Sequence, residues 1–144
     1  MELKFQNYKA LKTQADAVLY FIQRLDIDMV NAILDDHRTY QDMEKYMFIH
    51  KLGICFDEFI TAGDTFLNYY GGRCGSEACN FNCSGFSFVG NNSKNYIDLI
   101  VDTKEDLIQD IYECGQFCIT NPGIEKKNRV RIEKFEFKTF PRFK

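Results

Sequence analysis

The strand–turn–strand pattern that decides the fold lies at residues 85–101, which have the sequence GFSFVGNNSKNYIDLIV. Gly90-Asn91-Asn92-Ser93 is a turn signal, because Gly and Asn adopt positive φ more easily than other residues. The apolar segments on either side are short, as is usual for β-strands. A tight turn of this kind joins neighbouring antiparallel strands, so these residues predict a β-hairpin.

Further strand signals on both sides of this hairpin predict an antiparallel meander. Alternation with a period of two begins at Thr65, and Gly71-Gly72 is predicted to end that strand. A turn is predicted at residues 102–106, before a last strand. The predicted strands are residues 65–70, 85–89, 95–101 and 107–113.

The residues before this meander follow the helical period of 3.6. One apolar stripe predicts a long first helix, with Asp28 as the cap of a short continuation that stops at Asp35-Asp36. Residues 38–42 predict a brief strand, and a second amphipathic helix follows until Gly63. The stripe of the first helix consists of Leu11, Ala15, Val18, Ile22, Leu25 and Met29. The inward residues of the second are Ile49, Leu52, Phe56, Phe59 and Ile60.

Length and composition favour one domain, residues 1–144, of the α+β class, in which N-terminal helices pack on a curved antiparallel sheet. The chain has 144 residues, 45% of them hydrophobic, and a formal net charge of −3. This acidic balance argues against nucleic-acid binding, although the last 20 residues alone carry a charge of +5. No apolar run approaches the ~20 residues of a membrane helix, and no secretory signal is evident, so a cytoplasmic protein is expected.

Six cysteines in such a chain suggest a metal site. Cys74, Cys79 and Cys83 lie within ten residues, with C-x4-C-x3-C spacing, in a segment flanked by glycines. A short loop that folds back on itself supplies thiolate ligands to a tetrahedral Zn²⁺ ion. Disulfides belong mainly to secreted domains, so a structural zinc ion is favoured over unliganded thiols and over a disulfide. Cys55, in the second helix, is interpreted as a buried apolar residue.

The preferred fourth ligand is Cys114, followed by Cys118 and then His50, and a carboxylate or water stays open as well. If the four strands alternate in direction, Cys114 lies at the opposite end of the sheet from the segment 74–83, about 20 Å away for a six-residue strand at ~3.3 Å per residue. Sheet curvature or a long insert that folds back would be needed to bring Cys114 to the metal.

The order of these elements resembles the nuclear transport factor 2-like superfamily, which includes steroid isomerases and SnoaL-like polyketide cyclases. The resemblance covers residues 10–118, the predicted core, and also extends to bacterial proteins that carry a cysteine-rich insert in this fold. The insert 74–83 and the basic extension 124–144 depart from the family's pattern. The segments that carry the resemblance are residues 21–28 (FIQRLDID), 32–36 (AILDD), 39–42 (TYQD), 96–101 (YIDLIV) and 107–112 (LIQDIY).

The resemblance implies a cystatin-like cone with an apolar pocket between the helices and the concave face of the sheet. Asp42 matches the position of the general base in steroid-isomerase-like members, although an N-cap for the second helix is an alternative role. Tyr20 is the hydroxyl donor expected opposite Asp42, but the family's tyrosine position falls one residue away, on Phe21. His50 borders the buried helix stripe and is either a base or a satisfied surface histidine.

These expectations lead to two functional hypotheses. The first is a zinc-stabilised module that binds a small apolar ligand or another protein subunit, with a homodimer through the sheet as one form. The second is a cofactor-independent isomerase, dehydratase or cyclase that uses Asp42, Tyr20 and His50. In both, the predicted metal ligands are Cys74, Cys79, Cys83 and Cys114.

Overall fold

The protein is α+β, as predicted, with helices first and an antiparallel sheet after them. The structure is a computed structural model that describes residues 12–74, 85–113 and 119–132, except for the side chains of Arg73 and Cys74. The alternation of apolar and charged residues after Val130 slips at Glu133-Lys134, which predicts a bulge, but these two residues lie outside the described ranges.

The predicted first helix is two helices, α1 (Gln14–Gln23) and α2 (Ile27–Ile33). Leu25 has a φ of 58° and so lies in the left-handed region, where the next backbone N–H, that of Asp26, donates to the carbonyl of Phe21 at 3.0 Å. The Asp26 side chain then accepts a hydrogen bond from the backbone N–H of Met29 at 3.2 Å. The prediction that Asp28 is the cap was therefore wrong, because the helix begins at Ile27, two residues earlier than an Asp28 cap requires.

Two short strands, β1 (Thr39–Tyr40) and β2 (Met43–Glu44), form a hairpin where a single strand was predicted. Gln41 and Asp42 make the turn with φ of 52° and 60°, the conformation of a type I′ turn. Helix α3 (Lys45–Thr61) follows, and its N-cap residue is Glu44, whose side chain makes no capping hydrogen bond. The prediction that Asp42 caps this helix was therefore wrong.

Helix α3 turns its predicted stripe toward the core, with one exception. Leu52, Phe56 and Phe59 are buried, whereas Ile60 is 53% exposed. Successive helical residues are rotated by about 100°, so burial of Phe59 turns the next side chain away from the core. Gly63 has a φ of 96° and ends the helix as predicted.

Among the described residues, the main sheet has five strands in the order β6-β5-β4-β3-β7, and neighbouring strands are antiparallel. Strand β6 has the predicted bounds. Strand β3 continues through Gly71-Gly72, where an end was predicted. Glycine is needed at position 72 because β7 packs closely there, and a Cβ on Gly72 would collide with the backbone of Thr120. The strands are β3 (Leu67–Cys74), β4 (Gly85–Gly90), β5 (Tyr96–Lys104), β6 (Leu107–Glu113) and β7 (Ile119–Thr120).

Strand β5 extends beyond the end of β4, and this sets the position of β6. Gly85, the first residue of β4, pairs with Ile100, but β5 continues to Lys104. Strand β6 therefore starts beyond β4 and returns to its level, so that Glu113 pairs with Leu99. Cys114 and most of the segment 74–83 lie outside the described residues, but their described neighbours do not lie a whole strand apart: Glu113 pairs with Leu99, which pairs with Phe86, the residue after Gly85.

The core lies between the helices and one face of the sheet. Alternation along β4 and β5 places Phe88 and Leu99 on this face, and Ser87 and Asp98 on the opposite one. Val130 and Ile132, which alternate with charged residues in the sequence, also join the core. The largest fully buried side chains are Tyr40, Phe21, Phe48, Phe56, Phe59 and Phe88.

The cap of α2 gives a direct test of where this helix begins. We expect Asp26→Ala to lower the free energy of unfolding by about 1 kcal/mol, because the Met29 N–H loses its acceptor. Urea denaturation of the variant measures this change. Asp28→Ala is the matched control and is expected to change stability by less than about 0.5 kcal/mol, because Asp28 is exposed in the first turn of the helix, where it interacts with the helix dipole. A larger effect at position 28 than at position 26 would contradict the assignment.

Candidate functional site

The three predicted catalytic residues lie on three different elements. Asp42 is exposed in the β1–β2 turn, and His50 is exposed on α3. Tyr20 is half-buried on α1. The centre of its ring lies 5.0 Å from that of Phe21, edge to face, and 5.3 Å from the guanidinium carbon of Arg24. The enclosing apolar walls expected around a general base do not surround Asp42, and its catalytic role stays a prediction.

The predicted metal ligands lie outside the described part of the structure. Cys79, Cys83 and Cys114 belong to segments that are not described, and the side chain of Cys74 is not described either. Among the described residues, no group of three or more His, Cys, Asp or Glu side chains is arranged to hold a metal ion. Cys55 is buried, as predicted, and its thiol donates to the carbonyl of Arg131 at 3.4 Å.

The described residues that flank these segments meet at one end of the sheet. Gly72 pairs with Gly85 across β3 and β4, and Cys74 pairs with Ile119 on β7. Glu113, the last residue of β6, lies in the row next to that of Gly85. We call these five residues the cysteine end of the sheet, because each either is a cysteine or lies within two residues of one.

A buried polar cluster holds β7 against the sheet at this end. Asp98 is fully buried; one of its oxygens lies 2.6 Å from the Ser87 hydroxyl, and the other accepts from the N–H of Ile119 at 2.9 Å. The Lys126 ammonium donates to the carbonyl of Ile119 at 2.7 Å, to the side-chain oxygen of Asn121 at 2.9 Å and to the Ser87 hydroxyl at 3.1 Å. We call these five residues the Lys126 network.

The Lys126 network also contains an ion pair. The ammonium of Lys126 lies 3.8 Å from an oxygen of Asp98 and 4.7 Å from the centre of the Tyr96 ring. Buried charges are tolerated only when they are paired and fully hydrogen-bonded. The sequence alone does not single out Lys126, because it is one of several lysines in the basic extension 124–144.

Carboxylates on β6 hold the β1–β2 turn. The backbone N–H of Gln41 donates to the Asp110 carboxylate at 3.0 Å. The side-chain oxygen of Gln41 accepts from the backbone N–H of Glu113 at 2.8 Å. Burial raises the pKa of Asp110, and the nearby charges of Asp42 and Asp102 raise it further. Burial likewise raises the pKa of Glu113. This turn is thus docked on groups that are easier to protonate than ordinary carboxyls.

A cleft of about 480 Å³ lies where α2, the β1–β2 hairpin and α3 meet. Its one buried charge is Lys45, whose ammonium donates to the carbonyl of Leu34 at 2.8 Å and to Asp36. The hydrogen bond from Lys45, together with its charge, holds the pKa of Asp36 below its usual value. Because charged residues of both signs line it, this cleft differs from the predicted apolar pocket. The lining residues are Asn31, Asp36, His37, Arg38, Thr39, Glu44, Lys45 and Tyr46.

We expect Asp98→Asn to lower the free energy of unfolding by about 3 kcal/mol, because loss of one partner leaves the other buried charge uncompensated. Chemical denaturation measures this change. Asp102→Asn makes the same chemical change on the same strand at an exposed position, and is expected to stay within about 0.5 kcal/mol of the wild type. Equal effects at positions 98 and 102 would contradict the role given to the Lys126 network.

The raised pKa of Asp110 predicts a pH dependence of stability. A carboxyl with a raised pKa in the folded state stabilises the fold fully below its unfolded value, near 3.8, and that contribution is lost as pH rises through the folded value. We expect Asp110→Asn to flatten this fall, because Asn keeps an acceptor for the Gln41 N–H and carries no charge. Melting temperatures between pH 3 and pH 7 measure the effect, and Asp57→Asn on α3 is the control, expected to keep the wild-type profile.

Comparison with known proteins gives no match: no protein-family model, no curated protein and no solved structure matches this chain. Within the described residues, no helix is both long enough and apolar enough to cross a membrane. The assignment of function therefore rests on the residues and geometry given above.

Proposed function

We propose that the chain is a small ligand- or partner-binding module, of the nuclear transport factor 2-like cone type, stabilised by a structural zinc ion at the cysteine end. The observation that supports the metal site is the strand register. It brings the residues that flank the segments 75–84 and 114–118 to one end of the sheet. The helices and the antiparallel sheet support the cone. The proposal keeps Cys74, Cys79, Cys83 and Cys114 as the ligands.

Chain connectivity supports a common site for these thiols. Consecutive Cα atoms are ~3.8 Å apart, so Cys114 begins one step from Glu113 and Cys83 begins two steps from Gly85. Neighbouring strands are separated by ~4.8 Å, so the flanks of the cysteine-bearing segments start only a few strand spacings apart. The obstacle to Cys114 as fourth ligand, its expected distance from the segment 74–83, rested on a strand length that β5 does not have.

Cys118 is the alternative fourth ligand. Its neighbour along the chain, Ile119, pairs directly with Cys74, so Cys118 is bonded to a residue that already lies beside Cys74. His50, the third choice, lies on the exposed surface of α3. Four thiolates around Zn²⁺ close the coordination sphere and leave no position for a substrate, which makes such an ion structural.

The glycine content of the strands gives a reason for a stabilising metal ion at the cysteine end. Gly71, Gly72 and Gly85 lie where β3 and β4 meet the cysteine-bearing segments. Glycine contributes no side-chain packing within a strand and loses more backbone entropy on folding than other residues. A metal ion that links the chain segments here would offset this local weakness.

The binding role is favoured over the isomerase because Asp42 is exposed in its turn. On the sheet face away from the helices, the centre is not accessible to a second subunit of the predicted homodimer. Ser87 and Asp98 at the centre of that face are fully buried, since residues of the Lys126 network cover them. A ligand or subunit would therefore bind elsewhere than at the centre of this face.

We expect the protein purified without added zinc to contain about one zinc ion per chain, and Cys79→Ser to lose it, because a tetrahedral site needs its fourth ligand. Elemental analysis and thiol titration measure both. Cys55→Ala is the matched control, since it removes a thiol from the core, and it is expected to keep the metal.

Two results would contradict the zinc proposal. Folded protein without metal and with six titratable thiols would show that the cysteines are unliganded. Metal-free protein with fewer titratable thiols would show disulfide formation instead.

A further inference from the structure

The cleft where α2, the β1–β2 hairpin and α3 meet is built around one buried ammonium. The side chain of Lys45 is only 9% exposed, whereas most other residues that line the cleft are exposed. The cleft volume of about 480 Å³ lies in the range of sites that hold small organic ligands. Its described lining contains no residue of the cysteine end, so the cleft is a separate candidate site with different chemistry.

Lys45 has one more hydrogen-bond donor than the described residues provide acceptors for. An ammonium has three N–H donors. Among the described residues, its acceptors are the carbonyl of Leu34, which is the C-cap residue of α2, and the carboxylate of Asp36. A buried donor without an acceptor is destabilising. Because Lys45 lines the cleft, an acceptor group of a ligand in the cleft can satisfy the third donor.

Asp36 shows which kind of acceptor the Lys45 ammonium accommodates from the solvent side. The side chain of Asp36 is 81% exposed, although its carboxylate accepts a hydrogen bond from buried Lys45. This hydrogen bond, together with the charge of Lys45, lowers the pKa of Asp36 and keeps its carboxyl ionised at neutral pH. The carboxylate of a ligand can therefore share the ammonium with Asp36 or take its place.

Two other side chains of the lining suit an organic carboxylate. The Arg38 guanidinium has an ion pair with Asp35 at 3.8 Å, but both side chains are about half exposed, so this pair is weak. A guanidinium is planar and matches the two oxygens of a carboxylate. Tyr46 is 68% exposed, and its ring offers a flat apolar surface beside the charged groups.

The balance of charge around the cleft selects among anions. The acids Asp36 and Glu44 offset the bases Arg38 and Lys45, so the lining has no net formal charge when His37 is neutral. A phosphate group with nearly two negative charges would meet repulsion from both acids. A singly charged carboxylate gains the same hydrogen bonds with less repulsion, and an attached ring adds contact with Tyr46.

We propose that this cleft binds a small organic carboxylate with a flat apolar group, held by Lys45 and Arg38 and packed against Tyr46. The inference rests on the proposed binding role, to which it adds a ligand class and a site, but it does not depend on the zinc ion. Failure of the cleft to bind such a ligand would leave the zinc measurement unaffected.

The first test is an NMR titration of the isotope-labelled full chain with benzoate at neutral pH and constant ionic strength. We expect saturable shifts of the backbone amides of Arg38, Lys45 and Tyr46. Acetate, which lacks the ring, is expected to bind at least about threefold more weakly. Absence of saturable shifts with benzoate would overturn the proposal. Tighter binding of inorganic phosphate than of benzoate at the same amides would overturn the choice of a carboxylate.

The second test uses two variants with opposite expected effects on benzoate affinity. Asp36→Asn removes the competing carboxylate and is expected to strengthen binding about threefold, whereas Arg38→Gln is expected to weaken it about threefold. Asp57→Asn on α3 and Arg24→Gln after α1 make the same changes of charge outside the cleft, and each is expected to change affinity by less than about 1.5-fold.

This pair of variants separates a ligand site from a purely structural role of Lys45. If Lys45 and Asp36 served only to join α2 to α3, Asp36→Asn would lower the melting temperature and leave benzoate affinity unchanged, which would overturn the proposal. Equal changes of affinity in the cleft variants and in their controls would show a general effect of net charge and would overturn it as well.

Discussion

The register between β4 and β5 fixes the position of every part of the candidate site. Gly85 pairs with Ile100, and β5 then continues without a β4 partner to Lys104. The β5–β6 turn therefore projects beyond β4, and β6 returns to finish opposite Leu99. A one-residue shift of the strand pair would turn the buried Phe88 and Leu99 to the other face of the sheet, so their burial opposes such a shift. The position of Glu113 in the row next to that of Gly85 follows from that constraint.

The Lys126 network illustrates how a polar cluster directs a chain segment. Asp98 and Ser87 form a cross-strand pair on the face of the sheet opposite the helices, in strands whose other residues are mostly apolar. Alone, a buried carboxylate would be destabilising. With Lys126 above it and the Ile119 N–H beside it, the carboxylate is paired and hydrogen-bonded. Apolar contacts alone would hold residues 119–132 less specifically, because such contacts have no preferred direction.

Two glutamines protect the outer edge of β6 from pairing with another chain. The N–H of Ile108 donates to the side-chain oxygen of Gln14 on α1 at 2.6 Å, and the N–H of Glu113 donates to that of Gln41 at 2.8 Å. Uncovered edge strands offer free donors and acceptors that promote aggregation. Gln14 and Gln41 also tie the helical layer and the β1–β2 hairpin to the same strand, so edge protection and assembly of the layers use the same contacts.

The sequence by itself determined the α+β class, the turn at Gly90 and the bounds of β6, because hydrophobic periodicity and turn residues are local signals. It did not determine the break between α1 and α2, since Leu25 adopts a left-handed conformation that usually marks glycine. Neither could it pair Lys126 with Asp98, or place the end of β6 beside β4. Both depend on strand length and register, which are set by side chains that meet only in the folded sheet.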